Sequence, residues 1–573
     1  MMGDVNVRPC AARYLATSCA VLLAVSKIAF AAPNDITGEQ LRYQQQQQQA
    51  RERQLAPSAS DVRFNVNAPP GEAALFPAES PCFIIRQVHI DNTDAFPGWA
   101  VNELKRATEP ALNRCLGEQG INRLMASLQD RLIDHGWVTS RVLAPQQDLL
   151  YGQLHLRVLP GRIRQITFTK DSDTRVWLPA AMPLRAGALL DLRDIEQGLE
   201  NLQRLPGVQA RMVLTPGRQP GESDVVLTRR SQGLLRWGAW LDDSGTAATG
   251  RNQAGAMLAL DNPLGLSDML QLTAGRDIGF DSGHHSHSYS ASYTVPYGYW
   301  LLGINASRYD YLRTVAGRQQ RYDYSGDSHL LDVQLTRMLH RGTYHKTTLT
   351  ADLMTRQSRS FIDGTEIDVQ HRDTAYEKLA LNHRQYLGAA ALDVGVSYTR
   401  GIRAFGAIPA AEEATGEATA LARIIGVSAQ AAVPFTLFQQ SFRYLSQYQY
   451  QQSNTPLTAQ DQFSIGNRWT VRGFDGENSL SADEGWYWRN ELGWQLPYTQ
   501  QVLYAGVDHG EVSGNGSEWL AGKRLTGAVL GLRGHLLATD YDLFVARPIS
   551  RPDNFRTASV TAGFALNWQG ELL

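Results

Sequence analysis

Val471-Arg472-Gly473-Phe474 opens the stretch VRGFDGENSLSADEGWYWRNEL (Val471–Leu492), and about three dozen positions after the arginine stands Gly506-Val507-Asp508-His509-Gly510. In the segment from Val502 to Asp508, period-two alternation turns Leu503, Ala505 and Val507 to one face of a strand and Asp508 to the other. If the apolar set faces lipid, Asp508 points into the lumen of a barrel. A buried charge without a partner is costly, and an arginine on a long loop nearby supplies one. The two motifs therefore predict an ion pair across the inside of a barrel, with Gly473 giving the backbone room for a sharp turn beside Arg472.

The rest of the C-terminal half agrees. From about Leu234 onward helical periodicity gives way to short alternating segments, such as Ala254, Ala256, Leu258, Leu260 and Val560, Ala562, Phe564, Leu566, Trp568. Tight turns (Asn262-Pro263-Leu264-Gly265, Pro296-Tyr297-Gly298) alternate with longer polar loops (Asp277–Ser286, Ala404–Glu417). At roughly 21 residues per strand and connection, about 340 residues give about sixteen strands. With the short turns on one side, parity places the Thr455–Glu484 stretch in the loop between strands 11 and 12, on the far side. Alternation alone fits a soluble double sheet equally well. Aromatic strand ends at Tyr299, Trp300 and Trp568, together with a secretory leader, favour a membrane barrel.

That leader is residues 1–31: Arg8 and Arg13, an apolar run from Tyr14 to Phe30 interrupted by Lys27, and the small-x-small site Ala29-Phe30-Ala31. Cys10 and Cys19 leave with it. Cys82 and Cys115 remain, and an even pair in an exported chain reads as a disulfide. Residues 32–55 contain a helix from Thr37 to Leu55, opened by a capping-box pair (Thr37, Gln40) and stopped before Pro57. It is about 27 Å long and carries only Leu41, Tyr43, Ala50 and Leu55 as apolar residues, so it suits a wet lumen or a disordered glutamine-rich tail, not a dry core. Residues 56–81, with five prolines, read as a linker.

Two units of one grammar, strand–helices–strand–strand, occupy residues 82–160 and 161–232. The first has a strand around Phe83–Ile90, a helix with Ile121, Leu124, Met125, Leu128 and Leu132 on one face, and strands near Val138–Leu143 and Leu154–Val158. The second has a strand at Ile163–Phe168, helical spacing at Leu192, Ile195, Leu199, Leu202 and Leu205, and strands at Val208–Leu214 and Val225–Thr228.

The paired motifs and this grammar resemble transporters that combine POTRA domains with an outer-membrane barrel. Val471–Leu492, and the stretch from Pro81-Cys82-Phe83 to Leu149 with both cysteines, resemble the two-partner secretion branch, which exports haemolysins, adhesins and contact-dependent toxins. The resemblance implies a mainly β chain: two periplasmic POTRA domains ahead of a sixteen-stranded transmembrane barrel (residues 233–573), with the N-terminal helix plugging the pore. Val471, Arg472, Gly473, Phe474, Gly506, Asp508 and Gly510 would hold an inward-folded loop to the wall. The partners would be a secreted TpsA-type exoprotein and outer-membrane lipid.

Other chemistry is missing from the sequence. There is no phosphate-binding G-x-x-x-x-G-K-[ST] and no G-x-S-x-G nucleophile elbow. No cofactor, catalytic residue or bound metal is expected, and His284, His285 and His287, read as a loop cluster, suit a solvated surface. A formal net charge of −2 without a basic block argues against nucleic acid. Two other readings are a factor that assembles barrels in the membrane, for which two POTRA domains are few, and a passive porin or surface adhesin, which would have no use for them.

Overall fold

The structure is a computed structural model that describes residues 36–55, 60–64, 76–279, 283–316 and 320–572. The leader and much of the linker lie outside these residues. Sixteen antiparallel strands close a barrel, from Leu235–Asp242 to Thr561–Leu572, whose first and last members pair with each other. The expected alternation holds: Leu258, Leu272, Leu379, Val396, Leu503, Val507 and Val545 are exposed on the outside, an apolar surface of the kind that faces lipid.

In the first unit, strand Gln87–Asp91 runs parallel to the central strand Gln153–Leu159, whose other edge pairs with Arg141–Leu143. Leu124, Leu128 and Leu132, on one face of the helix Glu118–Asp134, are buried against this sheet. The expected first strand is in fact two. Phe83–Ile85 leaves the main sheet and pairs with Arg114–Leu116, and beside it Cys82 is bonded to Cys115. Closing a loop of this length stabilises by roughly 3–4 kcal/mol in the chain-entropy account. Three backbone N–H groups at the start of the long helix, those of Gly117, Gln119 and Gly120, donate to the Glu79 carboxylate at 2.6–2.9 Å. Desolvation opposes ionisation of Glu79, but these donors hold its carboxyl below the ordinary range. The preceding helix, Gly98–Ala107, buries only Ala100 and Leu104 and has no side-chain cap, so it left little periodicity to read.

The second unit repeats the plan with Glu222–Ser231 between Arg162–Phe168 and Val208–Pro216. Its helix Leu192–Gln203 is N-capped by Asp191, which accepts from Arg193 N at 2.8 Å. This unit sits directly on the short turns of the barrel. Trp177 N donates to Gly265 O at 2.7 Å, and Asn201 Nδ2 to Gly298 O at 2.7 Å. Tyr299, expected in an aromatic belt, instead donates its hydroxyl to Asp194 of the second unit. Burial pushes the Asp194 carboxyl up to about 6, against that hydrogen bond.

A third short turn is locked by charge. Arg341 donates to Glu196 (3.1 Å), to both oxygens of Glu200 (2.7 Å) and to the linker carbonyl of Val62 (2.6 Å), and only 1% of its side chain is exposed. Lys346 joins Glu200 to Asp61. Arg341→Ala would strip several buried carboxylate contacts while Arg193, paired with Glu196 at 2.7 Å, and Lys346 remain, so docking should weaken by about 1.5–3 kcal/mol. Hydrogen exchange in Leu192–Gln203 should rise. Unchanged exchange would show that the second unit is held by other contacts.

The three histidines expected in a polar loop stand elsewhere. His284, His285 and His287 lie on barrel strand 4 (His284–Tyr297) and not in a loop. A second group, His340, His345 and His383, gathers at the turns near the second unit.

Candidate functional site

Strand 13 (Val502–Ser513) carries Asp508 at 0% exposure, pointing inward, while Val507 beside it is 50% exposed. The connection between strands 11 (Gln440–Ser453) and 12 (Glu484–Gln495) folds into the lumen and brings Arg472 to it. Arg472 Nε donates to Asp508 Oδ2 at 2.6 Å and Nη2 to Oδ1 at 2.8 Å, and its backbone N–H adds a third bond to Oδ2 at 3.0 Å. A planar guanidinium makes this fork and an ammonium does not. The remaining Nη1 donates to Glu491 Oε2 on strand 12 at 2.6 Å, and Glu491 also accepts from Arg533. Glu491 was not singled out from the sequence, although Trp486, Trp488 and Leu492 alternate with it and mark its face as inward.

The other motif residues make room for this arginine. A Cβ on Gly506 would stand 2.7 Å from Arg472 Nη2, and one on Gly510 would stand 2.8 Å from the Val471 side chain. Gly473 has φ +108°, and a Cβ there would meet the Arg547 carbonyl at 2.5 Å. Strand 14 (Arg524–Leu536) contributes a glycine the sequence reading missed: a Cβ on Gly527 would overlap the Arg472 carbonyl oxygen. Gly527→Ala should therefore displace the loop without altering any charge. Protease cleavage between Phe463 and Ala482 in the intact barrel should rise, whereas wild-type resistance in Gly527→Ala would show that close approach is dispensable.

The loop is less polar than its sequence suggested. Val471 and Phe474 are buried with Ile465, Leu480, Val512, Leu525 and Phe555, and Phe474 meets Phe555 edge to face at 5.8 Å. A hairpin of Phe463–Ile465 with Leu480–Ala482 stiffens it.

The N-terminal helix, Ile36–Leu55, lies between this loop and the wall and is held by polar contacts. Gln40 donates to Thr249 and Tyr309, and Gln47 to Ser244 at 2.7 Å. Toward the loop, Asn467 donates to Gln46 at 2.6 Å, Ser479 to Glu39 at 2.9 Å, and Tyr43 meets Trp469 edge to face. Arg51 lies over Trp240 and 3.6 Å from Asp242. Helix, loop and wall enclose a polar cavity of about 240 Å³ lined by Arg468, Arg472, Arg489, Glu491 and Asp542.

Residues 221–534, more than half of the sequence, match the family described as haemolysin secretion/activation protein ShlB/FhaC/HecB. The chain belongs to the ShlB/FhaC/HecB family. Its two N-terminal units match POTRA domains, residues 83–161 the ShlB-type and residues 162–216 a second POTRA family. It is 35% identical over 564 residues to the outer membrane transporter CdiB-2 of Burkholderia pseudomallei (strain 1026b), covering 94% of this chain and 96% of that one. It is 25% identical to the hemolysin transporter protein HpmB of Proteus mirabilis, covering 89% and 87%. The solved structure of CdiB from Acinetobacter baumannii superposes with a TM-score of 0.83 at 28% identity, covering 94% of this chain and 99% of that one. The ShlB/FhaC/HecB chain is thus a two-partner secretion transporter of the outer membrane, with its POTRA domains and short turns in the periplasm and its long loops outside.

Proposed function

We propose that this transporter exports a large TpsA-type exoprotein of the haemolysin, adhesin or contact-dependent toxin kind through its lumen, without nucleotide hydrolysis. The observation that carries this reading is the way the lumen is closed. The plug helix is seated by glutamine side chains and a few charged groups, contacts that water can replace at a net cost of about 1 kcal/mol each. Such a helix is built to leave. The inward loop rests on an apolar cluster and a buried ion pair, and it acts as the firmer of the two gates, latched by Val471, Arg472, Gly473, Phe474, Gly506, Asp508 and Gly510. POTRA edge strands such as Val208–Pro216 can add an extended cargo segment by main-chain pairing. Folding of the exoprotein outside would oppose its return.

The test is reconstitution. Full-length transporter in liposomes free of nucleotide is offered unfolded exoprotein encoded beside its gene. Protease-protected cargo inside the vesicles supports the reading, while uptake that requires nucleotide, or no uptake, overturns it.

A further inference from the structure

His285 and His287 stand two residues apart on strand 4 and share the parity of Tyr289, which is exposed on the outside, while Ser286 between them is buried toward the lumen, so both project from the outer face of the barrel. Asp310 of strand 5 (Trp300–Ala316) is the direct cross-strand partner of His287. His287 Nδ1 and Asp310 Oδ2 are 2.9 Å apart, and the two imidazole centroids are 5.2 Å apart. One donor atom from each of the three residues lies within 4.8 Å of the other two, and all three residues are half-buried.

The outward residues locate this group. Below it on strand 4 come Tyr289, Ala291, Tyr293, Val295 and Tyr297, the last beside the turn that rests on the second POTRA domain. On strand 5 the apolar run ends at Ala306, and Arg308 follows with 57% of its side chain exposed. Ten residues from Tyr297 to His287, at about 3.4 Å each and a tilt of about 40°, climb roughly 26 Å. That is about the height of a barrel's apolar band. His285, His287 and Asp310 therefore sit at the extracellular edge of the lipid-facing surface.

We propose that His285, His287 and Asp310 form a binding site for a borderline divalent cation, Zn²⁺ or Cu²⁺. Two neutral imidazoles and one carboxylate are a donor set these ions favour, and three protein ligands leave a position for water or for a group on a neighbouring molecule. A tetrahedral zinc with bonds near 2.0–2.1 Å holds its ligand atoms about 3.3 Å apart. Side-chain rotations that move donors by about an ångström close the set, while the ladder between strands 4 and 5 keeps the backbone fixed. Asp310 serves either as a direct ligand or as the acceptor that orients the His287 ring. The competing cation is Arg308, whose Nε is 4.0 Å from Asp310 Oδ1, and its exposure lets it swing away. A bound ion would clip strands 4 and 5 together at the outer mouth.

The trio at the other end of the barrel supplies a control. His345 Nε2 and His340 Nδ1 are 2.8 Å apart and engage each other. The experiment uses full-length protein in detergent, purified without a histidine tag, stripped with EDTA and titrated with Zn²⁺ by calorimetry. Wild type should take up one equivalent reversibly. His287→Gln and Asp310→Asn should each bind at least about tenfold more weakly, with heat-modifiable gel migration unchanged to show an intact barrel, and His345→Gln should bind as wild type does. No saturable binding by wild type, wild-type affinity in either His287→Gln or Asp310→Asn, or an equal loss in His345→Gln overturns the proposal.

Discussion

Deleting residues 37–55 should raise single-channel conductance in planar bilayers several-fold. The helix runs along the inside of a sixteen-stranded barrel and touches both the wall and the inward loop. Its removal leaves a water-filled path beside a loop that other contacts still hold. The barrel itself should not lose its fold, because the helix contributes only Leu41 and Leu55 to buried apolar clusters and the strands close on one another without it. Equal conductance before and after deletion would mean that the inward loop alone seals the lumen.

Arg472→Ala should cost about 3–5 kcal/mol at the loop, the range for breaking a buried pair. The figure for a solvated pair, below about 1 kcal/mol, does not apply, because Asp508 is 0% exposed and Arg472 7%. In Arg472→Ala, Asp508 keeps only the backbone N–H of residue 472 at 3.0 Å, the Asn490 N–H at 3.3 Å and Arg489 at 3.9 Å. Asp508→Ala should cost less, since Arg472 retains Glu491. Both variants should insert normally and secrete poorly. In the double mutant the losses should be strongly sub-additive, because both substitutions remove one shared contact. Arg472→Lys should also impair secretion, as lysine keeps the charge but cannot span Asp508 and Glu491 together. Fully additive losses in a cycle on secreted cargo would show that the two residues act apart.

Parity made the site legible. One apolar triplet, Leu503, Ala505 and Val507, was enough to orient Asp508, and the spacing of two motifs pointed to its partner. The same parity on strand 12 identifies Glu491, but its bond to Arg472 depends on where the loop lies, which alternation does not encode. Gly527 and Glu79 were hidden for a related reason: each matters through a close approach by a segment distant in sequence. Arg341 looked like any turn arginine, because its partners lie about 140 residues away in a POTRA helix. The sixteen strands were countable because turns and loops alternate in length. The small helix Gly98–Ala107 was not, since two buried residues make no period.

The central claim is that cargo passes through the lumen the plug helix now fills. Gln47 touches Ser244, in the connection just beyond the end of strand 1, at 2.7 Å, so Gln47→Cys and Ser244→Cys can be joined in cells by a short bifunctional thiol reagent, with each single-cysteine variant as its own control. Secretion of the exoprotein should fall to background in the joined double variant alone, with both singles secreting normally under the same treatment. Wild-type secretion with the helix tethered to the barrel would contradict the account.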